Sequence, residues 1–88
     1  ARRLSFALST GTLELELEPE SETQRTLRGR LQIEEPALHR IEAEVGAERA
    51  TCWPDSDGAF ALERLPAGEV RVTVTGPAGR FVIPTFDL

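Results

Sequence analysis

Hydrophobic and polar residues alternate one by one along much of this sequence, and this alternation constrains the fold more than any other feature. Successive side chains of a β-strand point to opposite faces of a sheet, so alternation produces one apolar face. A helix would scatter the same residues around its circumference, although Leu and Glu are better helix formers than strand formers. The pattern predicts a β-hairpin over residues 3–18, whose apolar face consists of Leu4, Phe6, Leu8, Leu13, Leu15 and Leu17.

The same alternation returns after the break at residues 19–23. One of these later segments also fits a helix over residues 38–49, because Leu38, Ile41 and Val45 are three and four residues apart. We favour a strand there. Proline cannot donate a backbone hydrogen bond, so Pro84 predicts that the last strand lies at an edge or bends. The predicted strands are 27–33, 41–45, 49–53, 59–62, 70–75 and 80–88.

Glycine-containing turns separate the later strands, at residues 54–58, 65–68 and 76–79. In the first of them, proline fixes φ, aspartate bonds its own backbone and glycine accepts a positive φ. About eight short strands at this spacing are typical of an all-β sandwich. We therefore predict an all-β fold, a seven- to eight-stranded antiparallel Greek-key sandwich that forms one domain over residues 1–88.

The charge and hydropathy of the chain argue against two classes of partner. The 88 residues carry a formal net charge of -5, whereas binding to nucleic acid or to an anionic membrane requires a basic surface. No apolar stretch approaches the ~18–20 residues that span a bilayer. We therefore expect a protein partner or a neighbouring domain, with no nucleic acid and no membrane. Because the sequence begins with Ala, we also expect a piece of a longer or processed protein.

Cys52 and His39 are the only cysteine and the only histidine. A disulfide framework or a cysteine zinc site would need more cysteines, and one cysteine favours a reducing, cytoplasmic setting. A nucleophile–base pair of these two residues would lack a third orienting group. We interpret Cys52 as a small buried thiol and His39 as a surface imidazole. The expectation is that the chain is not an enzyme and has no catalytic, cofactor-binding or metal-binding residues.

The segment Asp55-Ser56-Asp57-Gly58 resembles the start of a calcium-binding loop. An EF-hand loop has a glutamate at its twelfth position, and counting from Asp55 that position is Pro66. A turn capped by its own aspartate explains the segment. Whether Asp55 and Asp57 bind calcium stays open.

Two features are candidate contact surfaces. Glu14, Glu16 and Glu18 begin an acidic row that could dock a basic partner, or that forms a solvated face neutralised by Arg28 and Arg30 on the next strand. Trp53 points outward if its neighbour Cys52 faces the core, and an exposed tryptophan is an interface anchor. The alternative is that Trp53 is buried or caps one end of the sandwich. Unpaired strand edges near Ser5 and Val82 are further templates for strand addition.

From residue 27 onward, the order of motifs resembles the carboxypeptidase regulatory-like domain family. The segment 55–62 is similar to the family pattern Asp-x-x-Gly-x-Phe-x-Leu, and 65–72 to its Leu-Pro-x-Gly turn and Val-rich strand. Gly29, Pro36 and the segment 43–45 match the earlier Gly-x-Val, Pro and Ala-x-Val positions, although Leu31 replaces the valine and Val70 a frequent tyrosine. The resemblance implies a transthyretin-like core over residues 24–88, with the hairpin of residues 1–18 packed on it.

The resemblance implies an accessory module that packs on, spaces or regulates an adjoining unit. Enzymes of the same fold bind iron through tyrosine and histidine or use a C-terminal Tyr-Arg-Gly-Ser segment, and this sequence has no tyrosine. Lys, Asn and Met are also absent, which indicates a GC-rich, bacterial genome, and similar bacterial proteins imply a regulatory role. The alternative function is carbohydrate binding or cell-surface adhesion, for which only Trp53 offers an exposed ring.

Overall fold

Nine β-strands account for most of residues 2–88, which are the residues that the computed structural model describes. A single 3-10 turn, Pro36–Leu38, interrupts them, so the predicted all-β class is confirmed. The strands are β1 (Arg2–Leu8), β2 (Gly11–Pro19), β3 (Gln24–Gln32), β4 (Arg40–Val45), β5 (Glu48–Cys52), β6 (Ala59–Pro66), β7 (Glu69–Gly76), β8 (Gly79–Val82) and β9 (Phe86–Asp87).

The strands form two antiparallel sheets that face each other in a sandwich-like arrangement. Sheet A has the order β1-β2-β3-β6, and sheet B has the order β5-β4-β7-β8, with β9 also paired to β7. Both sheets contribute to one hydrophobic core. The leucines of the N-terminal hairpin belong to this core together with the valines of β7, as the alternation predicted. Its buried members include Leu13, Leu15, Leu17, Leu27, Leu31, Ile41, Ala43, Phe60, Leu62, Val70, Val72 and Val74.

Residues 40–45 form a strand, and the alternative helix over residues 38–49 is therefore wrong. Ile41, Ala43 and Val45 are buried, while the residues between them are more accessible. β4 lies between β5 and β7 and pairs with both of them. Hydrogen bonds on both sides and one buried face stabilise the extended conformation, and this tertiary context outweighs the helix-like spacing.

The number of strands differs from the seven to eight predicted, because the C-terminal strand is divided at Pro84. The Ile83 N–H still donates to the Val72 carbonyl at 2.9 Å. The pairing with β7 then lapses and resumes where Phe86 lies opposite Val70. Proline has no N–H to offer the ladder, so one predicted strand at the edge of sheet B becomes β8 and β9.

Gly58 connects the β5–β6 loop to the end of β3. It adopts φ 87°, and its carbonyl accepts a hydrogen bond of 2.8 Å from the Leu31 N–H. A Cβ atom built on Gly58 would overlap the Leu31 backbone carbonyl. Only glycine satisfies both the positive φ and this close approach of two backbones.

Replacing Gly58 with Ala should destabilise the protein by about 3 kcal/mol, since the new methyl group adds a backbone overlap to the cost of a positive φ. Gly46→Ala is the matched control, because Gly46 also has a positive φ, of 58°, but open space around it. That control should cost about 1 kcal/mol. Urea denaturation measures both values, and equal losses would contradict the close contact between Gly58 and β3.

Candidate functional site

The strand registers bring four connections together at one end of the sandwich, here termed the loop end. These connections are residues 9–10, 33–39, 53–58 and 77–78. Loops at one end of a sandwich are supported by a rigid scaffold and are common locations for binding residues. A shallow cleft of about 360 Å³ lies there, lined by Thr10, Ile33, Glu34, Glu35, Leu38, His39, Pro77 and Ala78.

Trp53 is the most exposed large hydrophobic residue at the loop end, with 61% of its surface accessible. It follows β5, in which Ala50 and Cys52 pack against the core while Arg49 and Thr51 are exposed. The outward direction predicted for Trp53 from the alternation is thus observed. Its role in an interface stays a prediction.

Trp53 has no aromatic neighbour that could form a flat binding platform with it. Among residues 2–88, the one pair of interacting rings is Phe6 and Phe86, whose centroids are 6.0 Å apart. Both of these rings are partly buried and pack against the core. A stacked sugar ring would therefore contact Trp53 alone.

Leu38 exposes 52% of its surface at the same end. It closes the 3-10 turn, which Glu35 precedes in a left-handed conformation of φ 52°. The carbonyl of Glu35 accepts hydrogen bonds from the Leu38 N–H at 3.1 Å and from His39 Nδ1 at 3.0 Å. These bonds support the turn that presents Leu38 to solvent, a feature that the sequence analysis did not predict.

His39 is buried, with 8% of its surface accessible, so the prediction of a surface imidazole is wrong. Its ring packs directly on the backbone of Gly76, where a Cβ atom would overlap it. Because Gly76, at the end of β7, has no side chain, there is room for the imidazole. With Nδ1–H donated to Glu35, the ring is held by its own loop and contributes to the wall of the cleft.

The Asp55 side chain stabilises the turn in which it lies. Its Oδ1 accepts hydrogen bonds from the N–H groups of Asp57 at 2.9 Å and of Ala59 at 3.0 Å. The Gly58 N–H donates to the Asp55 carbonyl at 2.9 Å. This is the capped turn expected from the sequence. Within residues 2–88, no group of three His, Cys, Asp or Glu side chains is arranged to hold a metal ion.

The loop end is acidic as well as apolar. Glu34, Glu35, Asp55 and Asp57 are all exposed there, and its four connections contain no Arg or Lys. The nearest basic residue along these segments is Arg40, at the start of β4. The four carboxylates therefore share this end of the molecule with Leu38 and Trp53.

The acidic row of β2 has a different environment, on the outer face of sheet A. Glu16 forms an ion pair of 3.2 Å with Arg3, and Glu18 forms one of 3.6 Å with Arg28. Glu14 lies opposite Arg30 in the β2–β3 register. Exposed pairs of this kind contribute about 0–1 kcal/mol each. The row is thus interleaved with arginine.

A buried hydroxyl on β3 marks an irregularity that the alternation did not predict. Thr26 is buried, and its Oγ1 donates a hydrogen bond of 2.6 Å to the Glu20 carboxylate. The β3–β6 register shifts at this point, and Arg64 on β6 has a positive φ of 58°. The bulge bends β6 near the end of the sandwich opposite the loop end.

Cys52 lies on β5 opposite Ile41 and packs against the core. Its partial burial raises the pKa of the thiol, because the thiolate loses solvation, and a hydrogen bond from the Ala61 backbone offsets part of this effect. The contacts that hold His39 are with Glu35 and Gly76. These surroundings do not activate Cys52 as a nucleophile.

No family model, no curated protein and no solved structure matches this chain. No helix within residues 2–88 is long and apolar enough to cross a membrane.

We expect the Cys52 thiol to react slowly with iodoacetamide at pH 8, because a raised pKa lowers its thiolate fraction below that of free cysteine. The rate should rise with pH along a curve displaced to higher pH. Unfolding in urea removes the burial and should restore the rate of a free thiol, which provides an internal control in a chain with one cysteine. A folded protein that reacts as fast as the unfolded one would contradict this assignment.

Proposed function

We propose that the protein is a non-catalytic β-sandwich module whose loop end binds a protein partner or a neighbouring domain. One observation carries the proposal: two of the three exposed large hydrophobic residues, Trp53 and Leu38, lie at the same end of the molecule. Exposing these side chains to water is unfavourable, and tryptophan is enriched among residues that dominate binding energy.

The charges of the loop end favour a basic partner surface. Glu34 and Glu35 flank Leu38, and Asp55 and Asp57 follow Trp53. An apolar centre with a charged rim is the usual anatomy of a protein interface. Complementary charges steer the partner during association, so binding should weaken as salt is added.

The absence of catalysis is part of the same proposal. The raised pKa of the Cys52 thiol argues against a thiolate nucleophile. The His39 ring donates its Nδ1–H to a backbone carbonyl rather than to a carboxylate that would orient it as a base. The site that remains is a surface with contact residues and no reactive pair.

We also propose that the chain belongs with the transthyretin-like Greek-key sandwiches, as a relative of the carboxypeptidase regulatory-like domain. Two turns support this assignment, since Gly58 and Gly68, the glycines of the matched Asp-x-x-Gly and Leu-Pro-x-Gly patterns, both adopt a positive φ. Phe60 and Leu62 between these turns are buried. The bacterial origin and a regulatory role are parts of the same proposal.

The interface is tested by placing a photo-crosslinking benzoylphenylalanine at position 53, and at position 82 as a control, in cells that express the full protein. Val82 is the third exposed large hydrophobic residue, at 58%, and lies on β8. A partner captured from position 53 and not from position 82 is then purified. Calorimetry should show that Trp53→Ala weakens its binding about tenfold or more, with Val82→Ala nearly neutral.

A salt titration of the same complex should show weaker binding at higher ionic strength. A double variant with Glu34→Gln and Asp57→Asn should make the dissociation constant less dependent on ionic strength. Equal effects of Trp53→Ala and Val82→Ala on binding would refute the loop end as the contact surface. The fluorescence of Trp53, the single tryptophan, reports burial directly through a shift to shorter wavelength on complex formation.

A further inference from the structure

β1 has the longest strand edge that neither a proline nor a bulge interrupts in the described part of the chain. The sheet orders place β1 and β6 at the edges of sheet A, and β5 and the β8–β9 segment at those of sheet B. β6 is bulged at Arg64 and lies beside β5. Pro84 divides the β8–β9 edge. β1 extends for 7 residues and pairs only with β2 among residues 2–88.

The hairpin geometry determines which backbone groups of β1 point away from β2. A two-residue turn closes on a pair that exchanges backbone hydrogen bonds, here Leu8 and Gly11. Bonded and non-bonded pairs alternate along the ladder, so Leu4 and Phe6 also bond to β2. The N–H and C=O groups of Arg3, Ser5 and Ala7 then point away from the sheet, and nothing within residues 2–88 pairs with them.

A second copy of β1 matches this edge in one antiparallel register better than in any other. With a twofold axis at Ser5, that residue faces itself, and Arg3 of each copy faces Ala7 of the other. All three outward N–H groups and all three carbonyls of both strands are then paired. With the axis at Leu4, the outward backbone groups of Ala7 have no partner in the described strand. With the axis at Phe6, those of Arg3 have none.

The side chains favour the same register. Arg3 faces the small Ala7 of the second copy, so no like charges lie directly opposite each other. On the inner face, Leu4 meets Phe6 of the second copy, and both side chains are only partly buried in one chain. Cross-strand apolar pairs of this kind contribute about 0.2–1 kcal/mol each and would cover the accessible parts of these residues.

We propose that two copies of this chain pair through β1, antiparallel and with a twofold axis at Ser5, so that the two four-stranded A sheets become one continuous sheet. The partner is a second copy of the chain, because the edge is self-complementary. One symmetric register pairs the outward backbone groups, avoids opposed like charges and brings the apolar side chains together. This inference uses a different surface from the loop end and does not rest on the function proposed for it.

The register is tested by disulfide formation between full-length chains in a Cys52→Ser background. Paired residues that exchange backbone hydrogen bonds have Cα atoms about 5.5 Å apart, within the range of a disulfide. Ser5→Cys should therefore cross-link to itself under mild oxidation. Arg3→Cys or Ala7→Cys alone should not, because their copies are offset by about 13 Å. A mixture of these two variants should give the mixed dimer.

Sedimentation equilibrium tests whether the pairing occurs without a cross-link. The unmodified protein should be dimeric at about 100 μM. Ser5→Arg should weaken the dimer about fivefold or more, since it places two arginines side by side across the axis. The folded monomer tolerates this change, because position 5 lies opposite Glu14. Thr51→Arg on β5, an exposed position that likewise lies opposite a glutamate, is the control and should leave the dimer intact.

Three results would overturn the proposal. One is an unmodified protein that stays monomeric at this concentration. Another is a Ser5→Arg variant that associates as strongly as the unmodified protein while its circular dichroism is unchanged. The last is cross-linking of Arg3→Cys or Ala7→Cys alone with the efficiency of Ser5→Cys, which would indicate random collisions or another register.

Discussion

Two amphipathic sheets can remove their apolar faces from water only by packing on each other, and the rest of this structure depends on that burial. The leucines of β2 and β3 and the valines of β7 belong to one core. The hairpin of β1 and β2 would be only marginally stable if isolated in water. The hairpin of β1 and β2 is therefore an integral part of the sandwich and supplies several of its buried residues.

This burial decides where functional groups can lie. Side chains that point outward from the sheets are mostly charged, and on sheet A the glutamates of β2 meet arginines on both neighbouring strands. Such a surface is solvated and offers little binding energy. The loop end differs, because its connections lack the alternation and combine Trp53 and Leu38 with exposed carboxylates.

Backbone groups form the second kind of surface. A sandwich of two open sheets leaves strand edges, and proteins protect them with proline, bulges or short strands. Here the β8–β9 edge contains Pro84, and β6 is bulged at Arg64. β1 has neither protection, which makes it the edge most suited to pair with another strand. The loop end and the β1 edge are separate surfaces with different chemistry, one of side chains and the other of backbone.

The alternation in the sequence by itself determined the all-β class and the inward face of most strands, while the glycine and proline residues marked the turns. It also predicted that Trp53 points outward, because neighbouring residues of a strand must face opposite sides. Only the tertiary structure decided that His39 is buried on Gly76, that Leu38 joins Trp53 at one end, and that Thr26 lies opposite a bulge. The physical reason is that alternation is a local property, which says only the face of the strand on which each side chain lies. The other features depend on residues far apart in the sequence that strand pairing brings together.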